Sequence, residues 1–383
     1  MSLSSGSLTL FHVRGVPVRA HWTLLLALVW MTVLFSTRFA AVARLSGVDP
    51  QAIVLPPLAW GLLVALGLFA SVAVHEMVHT LIALRAGGRV KEITLMLLGG
   101  VSQMEQLPRR PSTEAVMAGA GPVASLAIGV ILMGLVRLGL PLPPDVHLGI
   151  HYLAQLNIVL GIFNLLPAFP MDGGRVLRAL LSLRLGPGRA TRAAARIGKA
   201  AAVAFGLWAF VGGGFFMVFL ALFLYTGAEA EARAQNQRDA LSGLRVADVM
   251  SLHPATIHEA ATLERALEWM RDASRLDLIV VDARHRPIGV LYAADVARVP
   301  RDKRNRLRVG DLGPHLARRA IEVHPEEDAA TALERAAHQG ATYLFAVEHQ
   351  ELVGLLGRAE LENVLALHAM REGPPATATP REA

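Results

Sequence analysis

Six long apolar runs dominate the first 228 residues of this 383-residue chain. They occupy residues 22–36, 57–84, 115–140, 148–166, 195–210 and 211–226. A helix needs about 20 largely apolar residues to cross a bilayer, where its backbone groups must be hydrogen-bonded internally. The runs therefore predict about six transmembrane helices. The last two runs are short and meet at Gly212–Gly214, which predicts two helices joined there, with one bent helix as the alternative.

Basic residues mark the connections between alternate runs. They collect before the first run, between the second and third, and between the fourth and fifth, whereas Arg38, Arg44 and Arg137 are the few elsewhere. Short cytoplasmic loops are enriched in Lys and Arg, so both termini are predicted to be cytoplasmic in a multi-pass protein of a bacterial or archaeal cell membrane. This topology explains the net charge of +6 without nucleic acid as a partner. A cleavable signal peptide is the alternative to a retained first span.

The second run contains the sequence HEMVH at residues 75–79, where a bilayer would favour leucine. On a helix, His75 and His79 lie on one face with Cβ atoms about 5–6 Å apart. Two imidazoles so placed can hold one zinc ion, and the adjacent Glu76 can reach a water on that ion. The chain has no cysteine, so His, Asp, Glu or backbone oxygen must complete such a site. A polar cluster that joins helices through hydrogen bonds is the alternative.

A catalytic zinc site takes three protein ligands and keeps one position open for water. Asp172 is the outstanding carboxylate near the apolar runs. Pro167 and Pro170 end the helix before it, and Gly173–Gly174 allow a sharp turn after it, so this side chain can be aimed inward. Capping of the following helix is the alternative role for Asp172. Weaker candidates for the third ligand are Glu105, Asp145 and His151.

These motifs together resemble the site-two protease family of intramembrane zinc metalloproteases. The resemblance covers residues 10–228 and rests on His75, Glu76, His79, Asn164, Pro167, Pro170, Asp172 and Gly173. It implies one Zn²⁺ per chain held by His75, His79 and Asp172, with Glu76 as general base. It also implies that Asn164 contacts substrate or the developing oxyanion, helix capping being the alternative, and that the substrate is a membrane-anchored protein within the lipid bilayer.

Two further segments of the first half have a predicted role. The sequence VKEITLMLLGG at 90–100 is typical of a strand ending in a glycine pair, and in the family the corresponding segment is a re-entrant β element. We expect its edge to pair with an unwound substrate; a cytoplasmic hairpin without a substrate role is the alternative. In AGAGPVAS at 118–125, small residues such as Gly119 and Gly121 predict close helix packing.

The second half contains a weak repeat with a period near 65 residues. LRVADVM at 244–250 is similar to LRVGDLG at 307–313, and LIVVDARHRPIGVL at 278–291 to LFAVEHQELVGLL at 344–356. Short strands alternate with amphipathic helices, which predicts two β-α-β-β-α units. The half resembles a tandem CBS-domain pair over residues 241–370, a module that commonly binds adenine nucleotides and associates as a homodimer.

The family's ribose-contacting pattern of Gly, then Ser or Thr, then Asp is incomplete in both repeats. Its positions are Gly289, Tyr292 and Asp295 in the first repeat and Gly354, Gly357 and Glu360 in the second. Loss of the Ser or Thr in both argues against an adenine nucleotide, and leaves dimerisation or gating without a ligand as the alternative.

The predicted fold class is therefore an α-helical polytopic membrane protein with a re-entrant β element, followed by a cytoplasmic α/β tandem CBS module. The predicted bounds are 1–228 for the transmembrane metalloprotease domain, 229–243 for a linker, 244–300 and 306–370 for the CBS repeats, and 371–383 for a disordered tail. The predicted function is an intramembrane zinc endopeptidase modulated by the CBS pair. A CBS-gated membrane transporter or channel is the alternative, with an inactive scaffold as a third hypothesis.

Overall fold

The computed structural model describes residues 6–97, 99–106, 110–213, 215–252, 254–313, 316 and 320–372. It divides into two compact units, Met1–Gln235 and Asn236–Ala383. Most of the predicted tail, residues 373–383, lies outside the described residues.

Long helices make up most of the first unit. They are α1 Thr23–Leu45, α2 Pro57–Arg85, α3 Pro111–Arg137, α4 Pro144–Asn164, α5 Asp172–Leu185, α6 Pro187–Trp208 and α7 Phe215–Leu241, with a 3-10 turn at Pro50–Ala52. In the described part of the chain, five helical segments are long and apolar enough to cross a bilayer: α1 to α4 and Pro187–Gly212. Their outer faces expose large apolar side chains, such as Leu25 at 66% and Val130 at 65%, which lipid would cover.

The last two apolar runs form two antiparallel helices, as predicted, and not one bent helix. A π-helical turn at Ala209–Gly213 follows α6, and α7 begins at Phe215. Lys199 Nζ on α6 donates to Glu229 Oε2 on α7 at 2.8 Å, which fixes the direction of the pair. The sixth predicted span is the apolar start of α7. Charged residues follow from Glu229.

A four-stranded sheet in the order β1-β2-β3-β4 completes the first unit. Its strands are β1 Ser7–Val13, β2 Val16–His21, β3 Arg89–Met96 and β4 Gly99–Gln106. The predicted strand at 90–100 is β3, which pairs in parallel with β2 and antiparallel with β4. β4 is therefore an edge strand, and β3 is central. The hairpin of β1 and β2 was not predicted from the sequence.

The second unit contains two three-stranded sheets with the same topology. Their strands are β5 Thr256–His258, β6 Asp277–Val281, β7 Pro287–Tyr292, β8 Ala320–Val323, β9 Tyr343–Glu348 and β10 Glu351–Leu356. The helices are α8 Val246–Val249, α9 Leu263–Asp272, α10 Ala293–Ala297, α11 Arg301–Arg304, α12 Ala329–Gln339 and α13 Arg358–Glu372, with a 3-10 turn at Val309–Leu312. In each sheet the first two strands are parallel and the last two antiparallel.

The two sheets of the second unit pack against each other through one apolar cluster. It consists of Ile279, Val281, Val290, Phe345 and Leu355. At its edge, the Tyr343 hydroxyl donates to Asp277 Oδ2 at 2.6 Å and links the first strands of the two hairpins. The repeat read from the sequence therefore corresponds to two similar α/β units that share a core.

Candidate metal centre

Three side chains that could hold a metal ion converge beside α2 in the first unit. His75 and His79 lie one turn apart on α2 and are 4% and 5% exposed. Asp172 is the first residue of α5, and its Oδ2 lies 3.1 Å from His75 Nε2 and 3.2 Å from His79 Nε2. The two Nε2 atoms are 3.2 Å apart. Two separate elements thus bring three potential ligand atoms to one point.

The other nitrogen of each imidazole has a partner on α3. His79 Nδ1 lies 2.7 Å from the Met117 carbonyl oxygen, which only accepts, so this nitrogen carries the proton. His75 Nδ1 lies 2.9 Å from Ser125 Oγ, a side chain that is fully buried. Such partners fix the ring orientation and the tautomer of a metal-binding histidine. With Nδ1 protonated, His79 directs the lone pair of Nε2 at the other two ligand atoms.

Asp172 reaches the imidazoles because the chain turns sharply before α5. Met171, and not Asp172, is the N-cap residue of α5, so the alternative of a capping role for Asp172 is wrong. Gly173 lies so close to the carbonyl oxygens of Leu165 and Leu166 that a Cβ would overlap them. The turn therefore brings the Asp172 carboxyl group to the two imidazoles.

Glu76 follows His75 on α2 and lies against β4. Ser102 Oγ donates to Glu76 Oε2 at 2.7 Å, and Thr80 Oγ1 lies 3.4 Å from the same hydroxyl. A Cβ at Gly100 would lie 3.0 Å from Glu76 Cδ and closer still to Cγ, so only glycine lets the strand approach this side chain. The edge strand thus holds the Glu76 carboxylate beside the three converging side chains.

The geometry and the donor set fit a zinc ion. Three ligands at about 2.0–2.1 Å from a tetrahedral zinc lie about 3.3–3.4 Å from each other, near the separations of 3.1–3.2 Å in this site. Lone pairs of two nitrogens and a carboxylate this close repel each other unless a cation lies among them. A Cβ at Gly121 of α3 would lie 2.7 Å from His75 Nε2 and nearer still to His79 Nε2, so the space beside the ligands is kept free.

Three of the remaining predicted residues have hydrogen-bond partners away from this centre. Asn164 Nδ2 donates to the Leu160 carbonyl of its own helix at 3.0 Å. Asp145 accepts the backbone N–H of Leu55 at 2.8 Å. His151 Nε2 lies 2.9 Å from Gln155 Nε2. The side chain of Glu105 lies outside the described residues.

Several residues of the centre were missed because their contribution depends on how elements pack. They are Gly100, Ser102, Met117, Gly121 and Ser125. Gly121 was predicted to serve helix packing, and its Cβ position faces the two imidazoles of α2. The small-residue segment at 118–125 was a usable signal, since it ends at Ser125 and includes Gly121.

Comparison with known proteins assigns the chain to a family. Residues 63–141 and 146–205 match the model described as Peptidase family M50, and residues 246–302 match the CBS domain model. The chain is 30% identical over 390 residues to Rip3 of Mycobacterium tuberculosis, which covers 98% of both proteins. The chain belongs to the site-2 protease family. The protease is also 27% identical over 372 residues to the zinc metalloprotease MJ0392 of Methanocaldococcus jannaschii, covering 96% of this chain and 98% of that protein.

Among solved structures, the protease is similar to the site-2 protease from Methanocaldococcus jannaschii, with 32% identity and a TM-score of 0.41. That similarity covers 59% of this chain and 95% of the other. Membership of the family, together with the apolar helices, makes the chain a multi-pass membrane metalloprotease. Family membership favours the protease hypothesis over the transporter hypothesis, and it supports the expectation that the protein binds zinc.

Proposed function

We propose that this protease is an intramembrane zinc endopeptidase whose zinc is held by His75, His79 and Asp172. The observation that carries the proposal is the convergence of His75 Nε2, His79 Nε2 and Asp172 Oδ2 within 3.2 Å of each other. One zinc per chain in this set leaves the fourth position for water or substrate. His79 lies six residues before Arg85 at the end of α2, about 9 Å along the helix axis. The chemistry would then take place within the bilayer, nearer to the cytoplasmic end of α2.

The residues around the centre divide the chemistry among them. A zinc ion held here supplies a nucleophilic water near neutral pH and polarises the scissile carbonyl. Glu76 accepts the proton of the attacking water and delivers it to the leaving amine. Ser102 donates to Glu76 Oε2 and so orients the carboxylate for both transfers. Asn164 remains a proposal for substrate contact, which would require its amide to leave the Leu160 carbonyl.

The decisive experiment compares Glu76→Gln with the wild type. The purified full chain should contain about one zinc per chain. Glu76→Gln should keep that zinc and lose cleavage of a co-expressed single-span substrate, because the amide cannot accept a proton. Asp172→Asn should lose zinc and cleavage together. Asp145→Asn is the control and should keep both, because the Asp145 carboxylate only accepts the backbone N–H groups of Val54 and Leu55. Normal cleavage by Glu76→Gln would refute the mechanism.

The substrate class follows from the edge strand. We propose that a membrane-anchored regulatory protein unwinds locally and adds a strand to β4, as in regulated intramembrane proteolysis. β4 is at the edge of its sheet and carries Ser102, which contacts the proposed base. Backbone pairing to an exposed strand edge extends a peptide and so exposes its peptide bonds.

Single prolines test this pairing. Successive N–H groups of an edge strand alternate between the neighbouring strand and the open edge. Among prolines placed in turn through residues 99–104, but not at Gly100 or Ser102, which contact Glu76, those that keep zinc but remove an open-edge N–H should lower cleavage. Leu10→Pro in β1, the opposite edge of the sheet, serves as the control. If every zinc-retaining proline variant in β4 cleaves normally, the substrate does not pair there.

The orientation and the second unit complete the proposal. The distribution of basic residues supports a cell-membrane protein whose two termini are cytoplasmic. The CBS pair would then lie on the cytoplasmic side, where we propose that it modulates the protease.

Two contacts in the second repeat argue against binding of an adenine nucleotide there. Gly357 lies under the Tyr343 ring, and Glu360 Oε2 accepts the Gly357 N–H at 3.0 Å. Calorimetric titration of the full chain with adenine nucleotides tests binding, and light scattering with and without residues 244–370 tests the proposed homodimer.

A further inference from the structure

The turn that presents Asp172 is enclosed by α6 and α7. Phe169 in this turn is only 2% exposed. It belongs to one apolar cluster with Ala194 and Ala195 of α6 and Ala228 of α7. The third metal-binding side chain therefore depends on two helices that contribute none of the three ligands.

Two glycines allow these helices to approach the turn closely. A Cβ at Gly227 of α7 would lie 2.5 Å from Pro170 Cδ and 3.1 Å from Pro170 N. A Cβ at Gly198 of α6 would lie 3.2 Å from Ala168 Cα. Carbon atoms in ordinary contact are about 3.5–4.0 Å apart, so a side chain at either position would displace the turn. By contrast, Gly134 of α3 has nothing within 4 Å of its Cβ position.

A second contact fixes the helix that follows the turn. The guanidinium of Arg178 on α5 contacts the carboxylate of Glu114 on α3 and donates to Glu231 Oε1 on α7 at 3.1 Å. The Arg178 side chain is 15% exposed and that of Glu114 is 17% exposed, so this network is screened less than a surface ion pair. It links α5 to α7, and also to α3, which supplies the partners of both imidazoles.

We propose that α7 is the positioning element for the third zinc ligand, with Gly227 seating Pro170 and Glu231 anchoring Arg178. Together these two contacts fix the segment that runs from Pro170 in the turn to Arg178 on α5. Asp172 lies in this segment, so its carboxylate is held at the imidazoles. This inference rests on the proposed zinc site. Both positioning residues lie on α7, about one turn apart.

Zinc retention of the purified full chain is the readout, because it reports ligand position without requiring substrate. Each variant is titrated with a chelator and its zinc content is measured by elemental analysis. Gly227→Ala and Glu231→Gln should each release zinc at about tenfold lower chelator concentration than the wild type, the size expected when outer support of a ligand is lost. Glu231→Asp, which keeps the charge, should recover much of the loss.

Two matched controls separate positioning from general loss of stability. Gly134→Ala adds the same methyl to a helical glycine with open space around it. Glu229→Gln removes ion pairs of α7 with Lys199 and Arg233 but no contact with α5. Both should hold zinc within about twofold of the wild type. Monodispersity and helix content of every variant are checked first, and Glu231→Gln carries the test if Gly227→Ala does not fold.

The outcomes separate the two proposals. Wild-type zinc retention in folded Gly227→Ala and Glu231→Gln would overturn the positioning role while leaving the zinc site intact. An equal loss of zinc in Glu229→Gln would also overturn the positioning role, because any weakening of the contacts of α7 would then be enough to lower zinc retention. If the wild type held no zinc, or if zinc persisted in Asp172→Asn, the proposed site itself would be wrong.

Discussion

Substitution of Gly121 by alanine adds one methyl group next to the proposed ligand atoms. The new Cβ would lie 2.7 Å from His75 Nε2 and nearer still to His79 Nε2. Ordinary contacts begin near 3.4 Å, so the imidazoles would have to retreat by about 0.7 Å or more. They cannot do so freely, because His79 Nδ1 is held at the Met117 carbonyl and His75 Nδ1 at Ser125.

The magnitude follows from the tolerance of a zinc site. Zinc–nitrogen distances vary by only about 0.2 Å, so a displacement of about 0.7 Å breaks the coordination geometry. Overpacking of a buried site costs about 1–3 kcal/mol. At about 1.4 kcal/mol per tenfold in an equilibrium constant, strain borne by the metal site lowers zinc affinity by roughly 5- to 150-fold.

Chelator titration of purified Gly121→Ala, with Gly134→Ala on the same helix as the control, measures this loss. The variant should fold, since the added group faces only the two imidazoles and α3 keeps its other contacts. Cleavage should fall in parallel with zinc content and recover in part at high zinc concentration. A Gly121→Ala protein that held zinc as tightly as the wild type would show that the two imidazoles do not share an ion beside this glycine.

Two further substitutions test other contacts. Ser102→Ala should lower the turnover of a single-span substrate about tenfold or more, because a hydrogen bond to a charged group is worth about 1.5–3 kcal/mol, with zinc content unchanged. A simultaneous loss of zinc would mean that Ser102 acts on the metal site and not on Glu76. Tyr343→Phe should lower hydrogen-exchange protection of β6 and β9 by about 1–2 kcal/mol, because the bond to Asp277 joins the two repeats. Unchanged exchange would show that the apolar cluster alone holds the sheets together.

The sequence singled out the proposed ligands more readily than the residues that support them. His75, Glu76 and His79 are placed by helical periodicity alone, and Asp172 by the prolines and glycines around it. Their partners on α3 could not be predicted in the same way. A helix in lipid is apolar on every side, because lipid and protein interior favour the same side chains, so the sequence does not mark which face meets a neighbour.

The same distinction applies to the strands. Both sheets of the second unit were predicted because the repeat shows each pattern twice. β3 was predicted from its own composition, yet β4, which carries Ser102, and the hairpin of β1 and β2 were not. β2 pairs with β3 across about 70 residues of intervening chain, as in the register Val18↔Ile93. Pairing at such separation depends on the packing of the first two helices, which local sequence does not encode.

Zinc binding should report the packing of this membrane domain as a whole. The proposed ligands come from α2 and α5, their outer partners from α3, and the turn that presents Asp172 is enclosed by α6 and α7. A ligand that binds only the folded arrangement stabilises it by an amount that rises with the logarithm of the ligand concentration divided by the dissociation constant. Zinc should therefore raise the free energy needed to separate these helices. A substitution in α7 should likewise change the zinc affinity of the proposed centre, although it alters none of the proposed ligands. This reciprocity follows from linkage, so zinc removal must in turn loosen the contact of α7 with the turn before Asp172.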